Sequence, residues 1–303
     1  MPRLSYVAIV VLGACSDATN PPHSEEGRLL ITRGLGDSAE IYSVDPDGSN
    51  SRRLTRNGYW DGTADWSPDR REIAFASARD TLFGSLLRSE IFIMNADGSN
   101  QRKVTESLIG SEAPRWSPDG TQIVFERFDP LVGNHQSHVM TRAGANVRRL
   151  VESPGRNYEA DWSPSGDWLV FVSTRLPRGW ASLYLVRPDG SDERQLAGDS
   201  ACDTFVGSPR WSPDGSRIVY FCATQGAAGL YVINADGTNP RRVHDPSASA
   251  GVDVWPTWSP DSRKLAFTRT RAGWLDVFIM DAHGGPAMRI THDADASHAT
   301  SWR

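Results

Sequence analysis

Seven histidines, three cysteines and a scatter of acids are the groups in this 303-residue chain on which chemistry could draw. The histidines are His23, His135, His138, His244, His283, His292 and His298. No two have the spacing of a helical zinc motif, and the surrounding pattern offers no helix to hold one. His292, Asp293, Asp295 and His298 gather near the C-terminus, either as a channel-facing group or as a solvated polar loop. Glu112, Glu159 and Asp253 stand at similar distances before three recurring Trp-Ser-Pro phrases. Two such carboxylates face to face would suit general acid–base work. A glycan-active enzyme would require that pair about 5 to 10 Å apart, or a metal. A serine hydrolase would require a Gly-x-Ser-x-Gly elbow, and no such pentapeptide is present. Neither a metal nor a cofactor is expected.

A surplus of aromatic residues points to binding instead. Of eleven tryptophans, Trp60, Trp168, Trp180, Trp255 and Trp274 fall outside any repeat, and all but Trp168 lie in or beside loops. Tyr59, Phe83, Phe128 and Phe205 keep similar company. Tryptophan is enriched where proteins grip their partners. Trp60, Trp180, Trp255 and Trp274, with Tyr59 and Phe205, are therefore candidate contacts for a protein, peptide or glycan. The alternative is that they cap the ends of cores.

What must position these groups is a repeat. Trp66, Trp116, Trp162, Trp211, Trp258 and Trp302 are separated by 50, 46, 49, 47 and 44 residues. Five of them open one phrase, as in Trp116-Ser117-Pro118-Asp119-Gly120 and Trp211-Ser212-Pro213-Asp214-Gly215. Pro presets one corner of a turn, and Asp and Gly tolerate the rest of it. A short apolar run follows each phrase, such as Ile73-Ala74-Phe75 or Leu169-Val170-Phe171, without polar alternation. Such a strand is buried on both faces. Next come a second apolar strand (Ile91-Phe92-Ile93-Met94), an Asp-Gly turn (Asp97-Gly98) and a basic closing strand (Arg102-Lys103-Val104-Thr105). Asp-Gly between strands is a strong hairpin signal, and basic residues protect an outer edge from pairing. A period in the forties with four strands is the signature of a propeller blade.

Residues 28 to 55 supply the last three strands of a blade, while Thr300-Ser301-Trp302-Arg303 supplies only the opening of one. The expected fold is all-β, a six-bladed propeller over residues 28–303 whose last blade closes by pairing of N- and C-terminal strands. The net charge of −5, with acids and bases interspersed, argues against nucleic acid as a partner.

The start of the chain reads differently. Arg3 precedes an apolar stretch, Leu4 to Leu12, too short to span a bilayer as a helix. It ends in Leu12-Gly13-Ala14-Cys15, which resembles a bacterial lipobox. That resemblance implies a signal peptide over residues 1–14 and lipidation of Cys15. Residues 15–27 then read as a flexible tether. Ser16 after the cysteine resembles outer-membrane sorting. Ordinary secretory cleavage, or a coincidental buried cysteine, is the alternative. In an exported chain Cys202 and Cys222 could join as a disulfide, or remain two thiols.

The Trp-Ser-Pro-Asp-Gly opening, the Asp-Gly turn and the Arg-Arg-Leu-Thr ending (Arg52 to Thr55) resemble the TolB-type, WD40-like β-propeller repeat across residues 28–303. TolB is a periplasmic protein of the Tol-Pal envelope system with an α/β domain ahead of its propeller. The resemblance implies a lipid-anchored propeller of the bacterial cell envelope, facing the periplasm or the surface, that binds a protein or peptide. A glycan-active lyase or hydrolase using acids and histidines at the channel mouth is the alternative. Asp45 to Asn50 and Asn95 to Asn100 resemble half of a calcium loop, but they lack the bidentate Glu at the twelfth position and read as turns.

Replacing Cys15 with Ala should abolish lipid labelling and release the protein from the membrane fraction. Unchanged palmitate incorporation in that variant would remove the lipobox assignment.

Overall fold

Each Ser-Pro-Asp phrase folds through its serine. Ser67 Oγ donates to Asp69 Oδ1 at 2.7 Å and accepts from Glu72 N at 2.9 Å, which turns the chain directly into the next strand. Ser117, Ser212 and Ser259 repeat the arrangement with Asp119, Asp214 and Asp261. Hydrogen bonding to these serines holds Asp69, Asp119 and Asp261 below the usual carboxylate range. The computed structural model describes residues 27–34, 36–79, 89–107, 109–175, 181–196, 202, 205–224, 228–244, 251–271, 274–292 and 297–303. Cys15 and Trp180 therefore lie outside the described residues, as do Phe83, Asp293 and Asp295.

These turns connect strands into four-stranded antiparallel units. The first holds β1 (Leu29–Arg33), β2 (Glu40–Val44) and β3 (Arg52–Arg53). Next come β4 (Asp61–Trp66), β5 (Glu72–Ser77), β6 (Glu90–Asn95) and β7 (Arg102–Lys103). They are followed by β8 (Ser111–Trp116), β9 (Gln122–Asp129), β10 (Asn134–Thr141) and β11 (Arg148–Arg149). The fourth unit is β12 (Asn157–Trp162), β13 (Leu169–Ser173), β14 (Ser182–Val186) and β15 (Arg194–Gln195). The fifth is β16 (Phe205–Trp211), β17 (Arg217–Ala223), β18 (Ala228–Asn234) and β19 (Arg241–His244). The sixth is β20 (Val252–Trp258), β21 (Lys264–Arg271), β22 (Trp274–Asp281) and β23 (Met288–Arg289). Finally β24 (Ser297–Trp302) pairs with β1, Trp302 opposite Leu29, to complete the first unit. No α-helix occurs among the described residues.

One departure from separate sheets occurs. A single parallel bridge between Gln136 and Asn157 joins the third and fourth units into an eight-stranded sheet. The cause is local: Asn157 donates to Gln136 Oε1, and Gln136 donates to the Gly155 carbonyl.

Apolar residues of the second strand alternate between two cores, as their unbroken hydrophobicity implies. Ile73 and Phe75 pack with Leu30 and Leu54 on one side, while Ala74 and Ala76 pack with Trp116 and Ile123 on the other. All four are fully buried. Neighbouring units also meet at backbone contact. A Cβ on Gly98 would lie 2.5 Å from the Leu54 carbonyl oxygen, and one on Gly48 would lie 2.4 Å from that of Ile290. The glycine of the Asp-Gly turn is thus required by the adjacent unit as well as by its own positive φ.

At the inner strands the units are tied through side chains. Asp65 Oδ2 accepts from Trp116 N at 2.9 Å, and Asp161 Oδ2 accepts from Trp211 N at 2.8 Å. Ser301 Oγ donates to Asp65 Oδ1 at 2.8 Å, linking β24 to β4. A second staple sits where the inner strand begins. Arg79 lies over Phe75 and Phe92 and pairs with Asp61, while Arg269 lies over Phe267 and Phe278 and pairs with Asp253. In the fifth unit Val206 faces Cys222 where the sixth unit has Asp253 facing Arg269. There Cys202 is joined to Cys222, with Cα atoms 5.5 Å apart.

Asp65→Ala should cost about 3 to 5 kcal/mol in chemical unfolding, because it strands the Trp116 N–H and leaves Arg115 without its 3.5 Å partner. Asp47→Ala, at an exposed turn, is the control and should cost under about 1 kcal/mol. Equal losses in the two variants would deny the inner tie its importance.

Candidate functional site

The inner strands β24, β4, β8, β12, β16 and β20 lie next to one another in that order, and β20 in turn contacts β24. Each breaks register two or three residues before its tryptophan. In five of them the bulge puts Thr63, Ala113, Glu159, Ser208 and Trp255 at φ between 49° and 52°. Such backbone is costly for a non-glycine residue and serves to re-aim a side chain. The displaced N–H groups are captured by neighbours: Ala113 by Thr63 Oγ1, Ser208 by Glu159 Oε2, and Glu159 by Glu126 Oε1.

The residue just before each tryptophan forms a ring: Asp65, Arg115, Asp161, Arg210, Thr257 and Ser301. Arg115 pairs with Asp65 at 3.5 Å and donates to the Thr300 carbonyl at 2.9 Å. Burial, aided by the charge of Arg115, lowers the Arg210 guanidinium to about 10. Burial raises Asp161, and Arg210 opposes that shift. On the exit side of this ring lies a cavity of about 310 Å³ lined by the repeat tryptophans and prolines. On the entry side lies another, of about 350 Å³, and it differs in kind.

The entry-side cavity brings together Trp60, Trp255, Glu112, Glu126, Glu159 and His298. Glu112 on β8 sits directly across from Glu126 on β9, and like charges so placed repel. Burial pushes the Glu126 carboxyl up to about 8, and the charges of Glu159 and Glu112 add to the shift. Burial raises Glu112 as well; His135 opposes this and Glu159 reinforces it. His298, half-buried against the Trp255 ring with centroids 5.4 Å apart, is held down to about 4 by loss of solvent. Glu112, Glu126 and His135 each bring one donor atom within 4.8 Å of the others, a set that could hold a cation.

The residues singled out from the sequence fall into three groups. Trp60 and Trp255 line the cavity, Trp60 over Gly62 and Trp255 inside β20 at the bulge rather than on a loop. Phe205, at the start of β16, has its ring against Gly207, close to Glu159. Tyr59 precedes Trp60 and is largely exposed; Trp274 opens β22 on the same end of its unit and is 55% exposed, outside the lining. Asp253 is not a channel residue. It is fully buried, accepting from Arg269 Nε at 2.7 Å and 2.5 Å from His244 Nδ1, and it works as a structural anchor. Glu126 had no sequence signal of its own, since it directly follows an apolar run and pairs with Glu112 only through the hairpin. The alternating ring did have one: a charge or hydroxyl at one fixed position before every repeat tryptophan.

A group whose folded value is raised holds its proton longer when folded, so stability falls as pH rises from the ordinary 4.5 through about 8. Glu126→Gln removes that penalty. Its melting temperature should exceed the parent's by about 3 °C or more at pH 8.5 and match it near pH 4.5. A difference that stays flat across this range would mean that Glu126 carries no such penalty.

Residues 195–303 match the family model described as the TolB beta propeller domain. A comparison with curated proteins found no match. Among solved structures, TolB from Acinetobacter baumannii superposes with a TM-score of 0.75 at 20% identity. That match covers 91% of this chain and 66% of the other, so the chain spans just under two thirds of that protein. A protein assigned as TolB from Agrobacterium tumefaciens gives 0.70 at 18% identity, over 91% of this chain and 93% of that one. An oligogalacturonate lyase from Vibrio parahaemolyticus gives 0.58 at 17% identity, over 82% and 73%. The chain is an all-β protein with a TolB-like fold, and its residues 195–303 match the TolB beta propeller domain.

Proposed function

We propose that this chain is a lipid-anchored binding propeller of the bacterial cell envelope, six-bladed and closed between its end strands, which engages a protein or peptide at its entry-side mouth. The observation that carries the reading is the cavity of about 350 Å³ lined by Trp60, Trp255 and three carboxylates. Concave, aromatic-rimmed sites with a few convergent polar groups are where proteins hold ligands. Phe205, Tyr59 and Trp274, at the same ends of their units, are exposed aromatic rings. Support for the ring comes from the β24–β1 pairing and the unbroken sequence of inner-strand contacts. Support for an envelope location comes from the Cys15 motif and from the kinship of the repeats. The Cys202–Cys222 disulfide suits an oxidising compartment.

A second reading rests on Glu112 and Glu126, which face each other across β8 and β9 and would serve as a carboxylate pair acting on a glycan. An oligogalacturonate lyase is among the similar folds. Turnover of a uronate oligosaccharide, lost in Glu112→Gln, would favour it.

For the binding reading, Trp60→Ala, Trp255→Ala and Phe205→Ala should each weaken a partner captured from the envelope fraction about fivefold or more. Melting temperatures should change by no more than a few degrees. Variants that lose about 3 to 5 kcal/mol of stability and still retain the partner would make these rings core caps.

A further inference from the structure

The chain reaches its first strand at one particular place. The backbone of Gly27 lies against Arg303 and Pro260, so closely that a Cβ there would stand 2.6 Å from the Arg303 carbonyl carbon. Arg28 and Arg303 exchange backbone hydrogen bonds of 2.6 and 3.1 Å. Arg303 and Pro260 both line the exit-side cavity. The first unit is therefore entered at the exit-side mouth, beside the end of β24 and on the opposite face from Trp60 and Trp255.

Exposed aromatic rings suit two kinds of surface, a polypeptide or the interfacial layer of a bilayer. Tyr59, Phe205, Trp255 and Trp274 at the entry end meet both descriptions. The length of chain between anchor and fold separates them. Cys15 precedes Gly27 by twelve residues, which in any conformation span at most about 43 Å. To lay the entry-side mouth on the membrane holding Cys15, that length would have to pass round the whole first unit. The axial route is filled by the buried side chains of Asp65 and Arg115. The outer route first crosses β2 and β3, about 10 Å for two strand spacings. It then climbs about 26 Å, the length of eight-residue strands such as β9 and β21. Side chains and loops add to that path, so nearly the whole reach would be drawn taut, at the entropic cost of fixing every residue. Turning the exit-side face to the membrane requires none of this. Both signs of charge alternate on the turns of that face, as in Asp69-Arg70-Arg71 and Asp261-Ser262-Arg263, so headgroups meet no single-sign field there.

We propose that the exit-side face lies toward the membrane that holds Cys15, and that the entry-side mouth opens away from it, its aromatic rings serving a water-exposed polypeptide and not the anchoring bilayer. The proposal rests on the anchored binding reading above and states which way its site faces.

The test is energy transfer from a fluorophore on the full lipidated chain to an acceptor on the headgroups of phosphatidylethanolamine–phosphatidylglycerol vesicles. Ser99→Cys and Ser191→Cys put the fluorophore on exposed exit-side turns, and Leu131→Cys puts it on the exposed β9–β10 turn at the entry end. Positions 99 and 191 should lie nearer the lipid plane than position 131 by about 15 Å or more. Iodide should quench the label at position 131 as fast as it does when Cys15→Ala leaves the chain in solution. Stronger transfer from position 131 than from the other two would put the aromatic mouth on the bilayer and overturn the proposal. Equal transfer from all three would mean that no face is favoured, and would also overturn it. A Gly-Ser insert of equal length after Ser24 should bring the three values together. A difference that survives the insert would mean that the length of the segment does not set the orientation. If the parent chain fails to bind vesicles, no label transfers at all, and the anchor reading falls with the proposal, an outcome distinct from a reversed order.

Discussion

The tie from one inner strand to the next is the constraint on which the rest of the molecule depends. A four-stranded unit with both faces apolar cannot stand alone in water, and it becomes stable only when both faces are covered. Asp65 and Asp161 fix how closely and at what angle that covering occurs, by accepting the backbone N–H of the next repeat tryptophan. Those carboxylates are paid for by Arg115 and Arg210, so the structural tie creates the charged ring. The ring in turn divides the interior into an indole–proline cavity on one side and the carboxylate cavity on the other.

Against this frame the entry-side cavity is a place where local rules are broken. Glu112 and Glu126 oppose each other across a hairpin, Thr63 and Trp255 sit in left-handed backbone, and His298 loses its ordinary basicity. Consistency everywhere else makes such violations informative, because folding alone gives no reason to keep them. The exit-side cavity is lined mainly by tryptophans and prolines that belong to the repeat itself.

The scaffold was legible in the sequence because its signals are local. Ser67-Pro68-Asp69 makes its turn through hydrogen bonds within five residues, and Ile73-Ala74-Phe75 advertises two buried faces by composition alone. Trp60 and Trp255 stood out because the repeat does not need them. The cluster around Glu126 could not be read the same way. Its partners Glu112 and Glu159 lie on either side in sequence, and only the register of β8 on β9 and the bulge in β12 bring all three together. Asp253 was misleading for the converse reason: it shares an approximate position with Glu112 and Glu159, but Arg269 and His244 enclose it.

The glycine contacts at the outer rim have a consequence for how such chains diverge. Gly98 against the Leu54 carbonyl and Gly48 against that of Ile290 are main chain meeting main chain, so the pitch from one unit to the next is set there by atoms every sequence possesses. The apolar layers inside are then free to exchange Ile for Leu or Phe for Tyr without changing the wedge that each unit occupies. A protein of similar fold that shares 20% of its residues superposes over most of the chain. Shape here is held by a handful of turns, which leaves the side chains of the mouth outside that constraint.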